Sequence, residues 1–142
     1  MTIFARDVLE TCLYVNDLSA ARDFYSQVLG LCVFEEQPDR HLFFRCGQRM
    51  LLLFLPQACN IAGGMLPSHG AIGPGHCAFA ATEQEMDAWR AHLIAHNVAI
   101  EKTVHWPRGG ISLYFRDPAG NSLEVATPKV WGLDEARMIS AP

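Results

Sequence analysis

No apolar run in this chain approaches the roughly 20 residues that a membrane-spanning helix needs. The longest is Met50 to Leu55. The opening residues, Met1 to Asp7, lack the basic-then-apolar layout of a signal peptide, so a cytoplasmic location is expected. An excess of basic charge is also missing. The 11 Lys and Arg stand against 15 Asp and Glu, a net charge of −4 that argues against nucleic acid or an anionic membrane as partner. The 5 cysteines (Cys12, Cys32, Cys46, Cys59 and Cys77) show no CxxC spacing. An odd number, with four in strand-like apolar runs, reads as reduced structural thiols rather than disulfides or a zinc knuckle. Cys59, in a polar loop, is the candidate for reactivity. What remains is ordinary for a globular protein: 142 residues, half of them apolar and 18% charged, enough for one domain or an internally doubled small fold.

The most informative stretch runs from Ser112 to Ala126. Two alternating strands flank Asp117-Pro118-Ala119-Gly120-Asn121, in which Pro118 presets φ and Gly120 and Asn121 tolerate left-handed φ. On the outgoing strand Leu123 and Val125 share one face, so Glu124 points to the other. A carboxylate in so apolar a setting must reach water or meet a cation.

The chain is written twice. From Val8 to Leu55 the pattern is strand, helix and three strands. Asp17 or Ser19 caps the helix, Leu18, Ala21, Phe24 or Tyr25, Val28 and Leu29 form its apolar stripe, and Gly30 ends it. From Gly75 to Thr127 the order returns: strand 76–81, the capping-box pattern Thr82-Glu83-Gln84-Glu85, helix 83–96 with Met86, Trp89 and Leu93 inward, a C-cap at Asn97, then strands 98–104, 111–116 and 122–127. Two βαβββ repeats (about 8–55 and 75–127) thus flank a Gly- and Pro-rich linker, 56–74, and precede a tail, 128–142. The expected fold is α+β. One domain spans 1–142, its two mixed four-stranded sheets set side by side as an open, barrel-like concavity with helices outside.

Superposing the repeats sets Glu10 against His76 and Leu53 against Glu124. Three of these four are metal-ligand types in otherwise apolar strands, on the face away from the helix.

The residues that carry this pattern resemble the vicinal oxygen chelate superfamily of glyoxalases, bleomycin-resistance proteins and extradiol dioxygenases. They are Leu13-Tyr14-Val15-Asn16-Asp17, the helix from Ala20 to Leu31, Gly75-His76, and Phe115 to Glu124. The resemblance implies metal ligands from the first and last strands of each repeat. Carried over by position these are Glu10, where His is usual, then His76 and Glu124, with Leu53 unable to coordinate. Two carboxylates and one imidazole suit a single divalent ion of Mn, Fe, Co, Ni or Zn. Such an ion would chelate neighbouring oxygens of a small substrate, with lyase or isomerase chemistry ranked ahead of ring-cleaving dioxygenation. A homodimer is also implied. The rival is a metal-free small-molecule-binding protein of the bleomycin-resistance type.

Further pocket candidates follow from parity and loop position. A simple hairpin register sets Tyr114 opposite Glu124, where it can bond substrate or an oxyanion, or merely prop the acid. Tyr14 and Cys12 share the face of Glu10, which can itself act as a base. Arg108, on the loop 105–110, suits a carboxylate or phosphate clamp, or is simply solvated. Trp106 covers the pocket or packs at a dimer contact. His69, in the linker, serves as a lid ligand or proton carrier, or lies on the surface. His41, His92 and His96 fall on strand or helix surfaces and are given no role. Trp131 and Leu133 in the tail are expected to pack on a neighbouring surface.

Overall fold

A computed structural model describes residues 3–139. The outer ends of the expected domain, at 1–2 and 140–142, lie outside the described residues. The chain divides into two compact units, Met1–Gly75 and His76–Pro142.

In the first unit β1 (Glu10–Tyr14) leads into α1 (Leu18–Gln27), followed by β2 (Cys32–Gln37), β3 (His41–Cys46), β4 (Arg49–Phe54) and the short helix α2 (Pro56–Cys59). The sheet order is β1-β4-β3-β2, with β1 parallel to β4 and the other pairs antiparallel. Asp17 is the cap that forms: its side chain accepts from the Ala20 N–H at 3.0 Å. Leu18, Ala21, Tyr25 and Val28 are buried, and Tyr25 stacks on Phe44 at 5.7 Å. Leu13, Leu42, Leu51 and Leu53 complete this core.

The second unit repeats the plan. β5 (His76–Ala80) is followed by a 3₁₀ turn at Glu83–Glu85 and α3 (Met86–Ala95), then β6 (Lys102–His105), β7 (Ile111–Arg116), β8 (Ser122–Ala126), a 3₁₀ turn at Pro128–Trp131 and α4 (Glu135–Met138). The order is β5-β8-β7-β6, with β5 parallel to β8. Glu85 accepts from the Thr82 N–H at 2.8 Å, one half of the expected capping box. Asn97 takes φ 57 at the end of α3, and Asn97 and Val98 donate to Ile94 and Leu93 in a Schellman closure. Leu93, Leu113, Phe115, Leu123 and Val125 are fully buried. The fold is therefore α+β, built from two repeated modules with unclosed mixed sheets.

Gly120, one of the two residues expected to tolerate it, takes the positive φ of the 117–121 turn. The structure corrects three expectations. Residues 98–101 are not strand; β6 begins at Lys102, after the chain has left the helix cap. His41 is buried rather than superficial: Arg40 donates to its Nδ1 (2.9 Å), leaving Nε2–H to meet Glu35 (3.1 Å), and its ring stacks on Phe43. Cys59 is no loop thiol, since it ends α2 and packs under Leu52 and Phe54.

None of the five cysteines is in a disulfide. A thiol reagent applied to native protein is expected to label exposed Cys32 well before Cys59, which should react only as the chain unfolds. Mass mapping of labelled peptides over time checks this order.

Candidate functional site

The second unit's site is built on the β7–β8 hairpin. Asp117 Oδ1 accepts from the Asn121 N–H (2.8 Å) and Oδ2 from the Asn121 side-chain amide (2.9 Å), with both residues buried. Gly120, at φ 88, closes the turn by donating to the Asp117 carbonyl. This register pairs Tyr114 with Glu124, as the sequence predicts, and sets Ala78 on the other side of the acid.

Glu124 has a side chain only 9% exposed, and its Oε2 lies 3.3 Å from Nε2 of His76, whose side chain is 52% exposed. The other imidazole nitrogen, Nδ1, is 2.9 Å from the Ser122 carbonyl oxygen. A carbonyl only accepts, so Nδ1 carries a proton, and in the neutral ring Nε2 turns its lone pair towards the carboxylate. Two lone-pair donors facing each other call for a cation or a proton between them. The backbone carbonyl behind Nδ1 is the usual support of a metal-bound imidazole. The donor pair thus fits a divalent ion of the borderline class.

Tyr114 lies against both groups, its ring 6.3 Å from that of His76. Burial holds its hydroxyl above the ordinary value, and the charge of Glu124 and a hydrogen bond with it add to the shift. The phenol therefore stays protonated and able to donate. A raised value also means that the folded chain prefers the neutral phenol, a preference lost as pH rises through the folded value.

These residues floor a cavity of about 410 Å³ also lined by Trp106, Pro107, Arg108, Val130 and Trp131. The Trp106 indole N–H donates to the buried Ser112 hydroxyl at 2.9 Å, which orients the ring. Gly110 holds the loop against the tail. At φ 92, a Cβ there would stand 2.7 Å from Val130 Cγ1 and 2.8 Å from Thr127 Oγ1. Thr127 also caps the loop by accepting from the Ile111 N–H.

Of the predicted site residues, this unit brings together His76, Glu124, Tyr114, Trp106 and Arg108. The first unit pairs Tyr14 with His69, whose Nδ1 lies 2.7 Å from the phenol oxygen. The His69 ring also stands edge-on to Phe54 at 4.7 Å, and its backbone N–H donates to the Cys59 carbonyl. Burial, then the neighbouring Cys12 and Cys59 thiols, raise the Tyr14 phenol. Glu10 lies on the face that carries Cys12 and Tyr14 and is exposed. Among the described residues no group of three His, Cys, Asp or Glu side chains is close enough to hold a metal ion.

The pseudo-symmetric partner of Glu124 is Leu52, not Leu53. Glu10 pairs with Met50 as His76 pairs with Ser122, so the position two residues on is Leu52. Phe43 faces Leu52 as Tyr114 faces Glu124. The Arg45-to-Met50 connection is one residue shorter than Arg116 to Ser122, so aligning on Phe44-Arg45 slips the register and swaps the face. Leu52 coordinates no better than Leu53. Sequence reasoning also missed Val130, and it expected Trp131 to pack on a neighbouring surface without placing it at the cavity. The Pro128-Lys129-Val130-Trp131 run after the last strand was the available signal, and its 3₁₀ turn delivers both side chains to the cavity.

A model described as the Glyoxalase/Bleomycin resistance protein/Dioxygenase superfamily matches residues 7–125. The chain belongs to this superfamily. Within the superfamily fold, a crystal structure of lactoylglutathione lyase from Agrobacterium tumefaciens is 43% identical, with TM-score 0.87 over 91% of this chain and 98% of that one. A glyoxalase/bleomycin resistance protein/dioxygenase from Nocardioides is 22% identical (TM-score 0.71; 89% and 85% covered). An integron cassette protein from V. Cholerae is also 22% identical (TM-score 0.70; 90% and 99%). These last two share the fold alone. No curated protein sequence matches the chain.

Two outcomes test this geometry. In a spectrophotometric titration Tyr114→Phe should remove a phenol that ionises above the ordinary tyrosine range, and Glu124→Gln should bring that phenol down. Gly110→Ala forces both a disfavoured φ and a clash, so it should lower stability by about 1–3 kcal/mol in urea unfolding.

Proposed function

We propose that this chain is a divalent-metal-dependent lyase of the glyoxalase type, acting on a small substrate with adjacent oxygens such as the lactoyl group of lactoylglutathione. The observation that carries the reading is the His76–Glu124 pair, with Nδ1 engaged by a backbone carbonyl and Nε2 presented to the carboxylate. The 43% identity to a lactoylglutathione lyase supports it.

His76 and Glu124 would hold the ion, with Glu10 as the third protein ligand by repeat correspondence. Mn, Fe, Co, Ni and Zn all suit two carboxylates and an imidazole. When bound, the ion supplies Lewis-acid polarisation of the substrate's neighbouring oxygens. The chain's own groups do the rest. The Tyr114 phenol, kept protonated, donates to an oxygen on which negative charge develops. Should Glu10 not coordinate, its carboxylate is the base that takes up a proton from carbon. Trp106 and Trp131 offer apolar ring surface along one side of the cavity, and the exposed guanidinium of Arg108 at its edge pairs with a substrate carboxylate. The whole chain, 1–142, acts as one doubled domain and as a homodimer in this reading.

A second reading, a metal-free binding protein, is favoured by Leu52 at the fourth ligand position and by the apolar cavity wall. Metal analysis together with lactoylglutathione turnover separates the two. Wild type should bind a divalent ion and turn over. His76→Ala and Glu124→Gln should each lose the ion and at least about a hundredfold in kcat/KM. Equal ligand binding with no metal and no turnover in all three proteins would establish the binder instead.

A further inference from the structure

Helix α3 ends in two imidazoles that the cavity does not use. His92 and His96 stand four residues apart, the spacing that stacks side chains on one helix face. Their ring centroids are 4.2 Å apart with the planes tilted by 45°. His96 Nδ1 lies 2.9 Å from the carbonyl oxygen of His92. That carbonyl only accepts, so the proton of a neutral His96 is on Nδ1 and the lone pair is on Nε2. This is the tautomer that a metal ion takes, with the same backbone-carbonyl support that His76 has. His96 is exposed and His92 half-buried, so a hydrated ion has access. The pair also occupies the last turn and cap of the helix, where the outward-pointing carbonyls favour a cation.

We propose that His92 and His96 form a second metal site, separate from the cavity, that takes a divalent transition-metal ion. Two imidazole nitrogens without a carboxylate select Cu²⁺, Ni²⁺ or Zn²⁺ over Mg²⁺ and Ca²⁺, with Cu²⁺ held most tightly. Water fills the remaining positions, because no third ligating side chain joins the pair among the described residues. Such an open shell makes the ion exchangeable and leaves room for an external ligand. The site draws on no residue of the proposed lyase chemistry and stands whether or not that chemistry holds.

Trp89 provides a built-in reporter, its ring edge-on to His92 at 5.7 Å. The full chain, untagged and stripped with chelator, is titrated with Cu²⁺ while heat and tryptophan fluorescence are followed. The titration is repeated on His92→Gln, on His96→Ala and on a His76→Ala/Glu124→Gln double variant. The expected result is that His92→Gln and His96→Ala each lose a bound equivalent of Cu²⁺ and its quenching of Trp89, whereas the double variant retains both. Circular dichroism should show all the variants folded, since His96 is exposed and Gln at 92 keeps a polar side chain. Wild-type stoichiometry and affinity in both helix variants would overturn the proposal. Loss of Cu²⁺ binding from the cavity double variant alone would overturn it too, while supporting the lyase reading.

Discussion

The two hydrogen bonds between the Asp117 carboxylate and Asn121 set the register of β7 against β8, and the chemistry of the second unit depends on that register. A slip of one residue would turn Glu124 towards the face where Leu123 and Val125 pack at full burial. An ionised carboxylate there would be unpaired, at a cost of several kcal/mol. The closed turn prevents the slip. It sets Glu124 beside Ala78, opposite Tyr114 and within reach of His76.

The cavity combines a small polar floor with apolar walls. Its aromatic wall is held from two directions, by the Trp106–Ser112 hydrogen bond and by the contact of Gly110 with Thr127 and Val130. The buried Glu124 carboxylate lies close enough to Tyr114 and His76 for each to feel its charge. The raised Tyr114 value is one consequence, with burial as its largest cause. The tail residues Val130 and Trp131 therefore brace the loop and shape the cavity.

Local signals were legible wherever a side chain bonds to backbone a few residues away. Asp17 caps α1, Glu85 reaches back to Thr82, and Asn97 takes the left-handed position after α3. The Tyr114–Glu124 pairing followed from turn length alone. Reading failed where an outcome depends on non-local register or packing. Leu53 was placed on the wrong face because the first hairpin connection is one residue shorter than the second. Cys59 was assigned to a polar loop and His41 to a strand surface, yet Leu52 and Phe54 cover the first, and Arg40, Glu35 and Phe43 enclose the second.

By itself the sequence determined the doubled βαβββ order, the helix caps, the family and the face on which Glu124 lies. The order, the caps and the face rest on short-range periodicity and backbone capping, and the family rests on the resemblance of its motifs, which the family model over residues 7–125 bears out. Tertiary structure alone decided that the Ser122 carbonyl orients His76, that Leu52 is the counterpart of Glu124, and that Trp131 joins Trp106 around one cavity. Those facts depend on which strands pair and where the tail turns. Such long-range contacts leave no periodic trace in the chain.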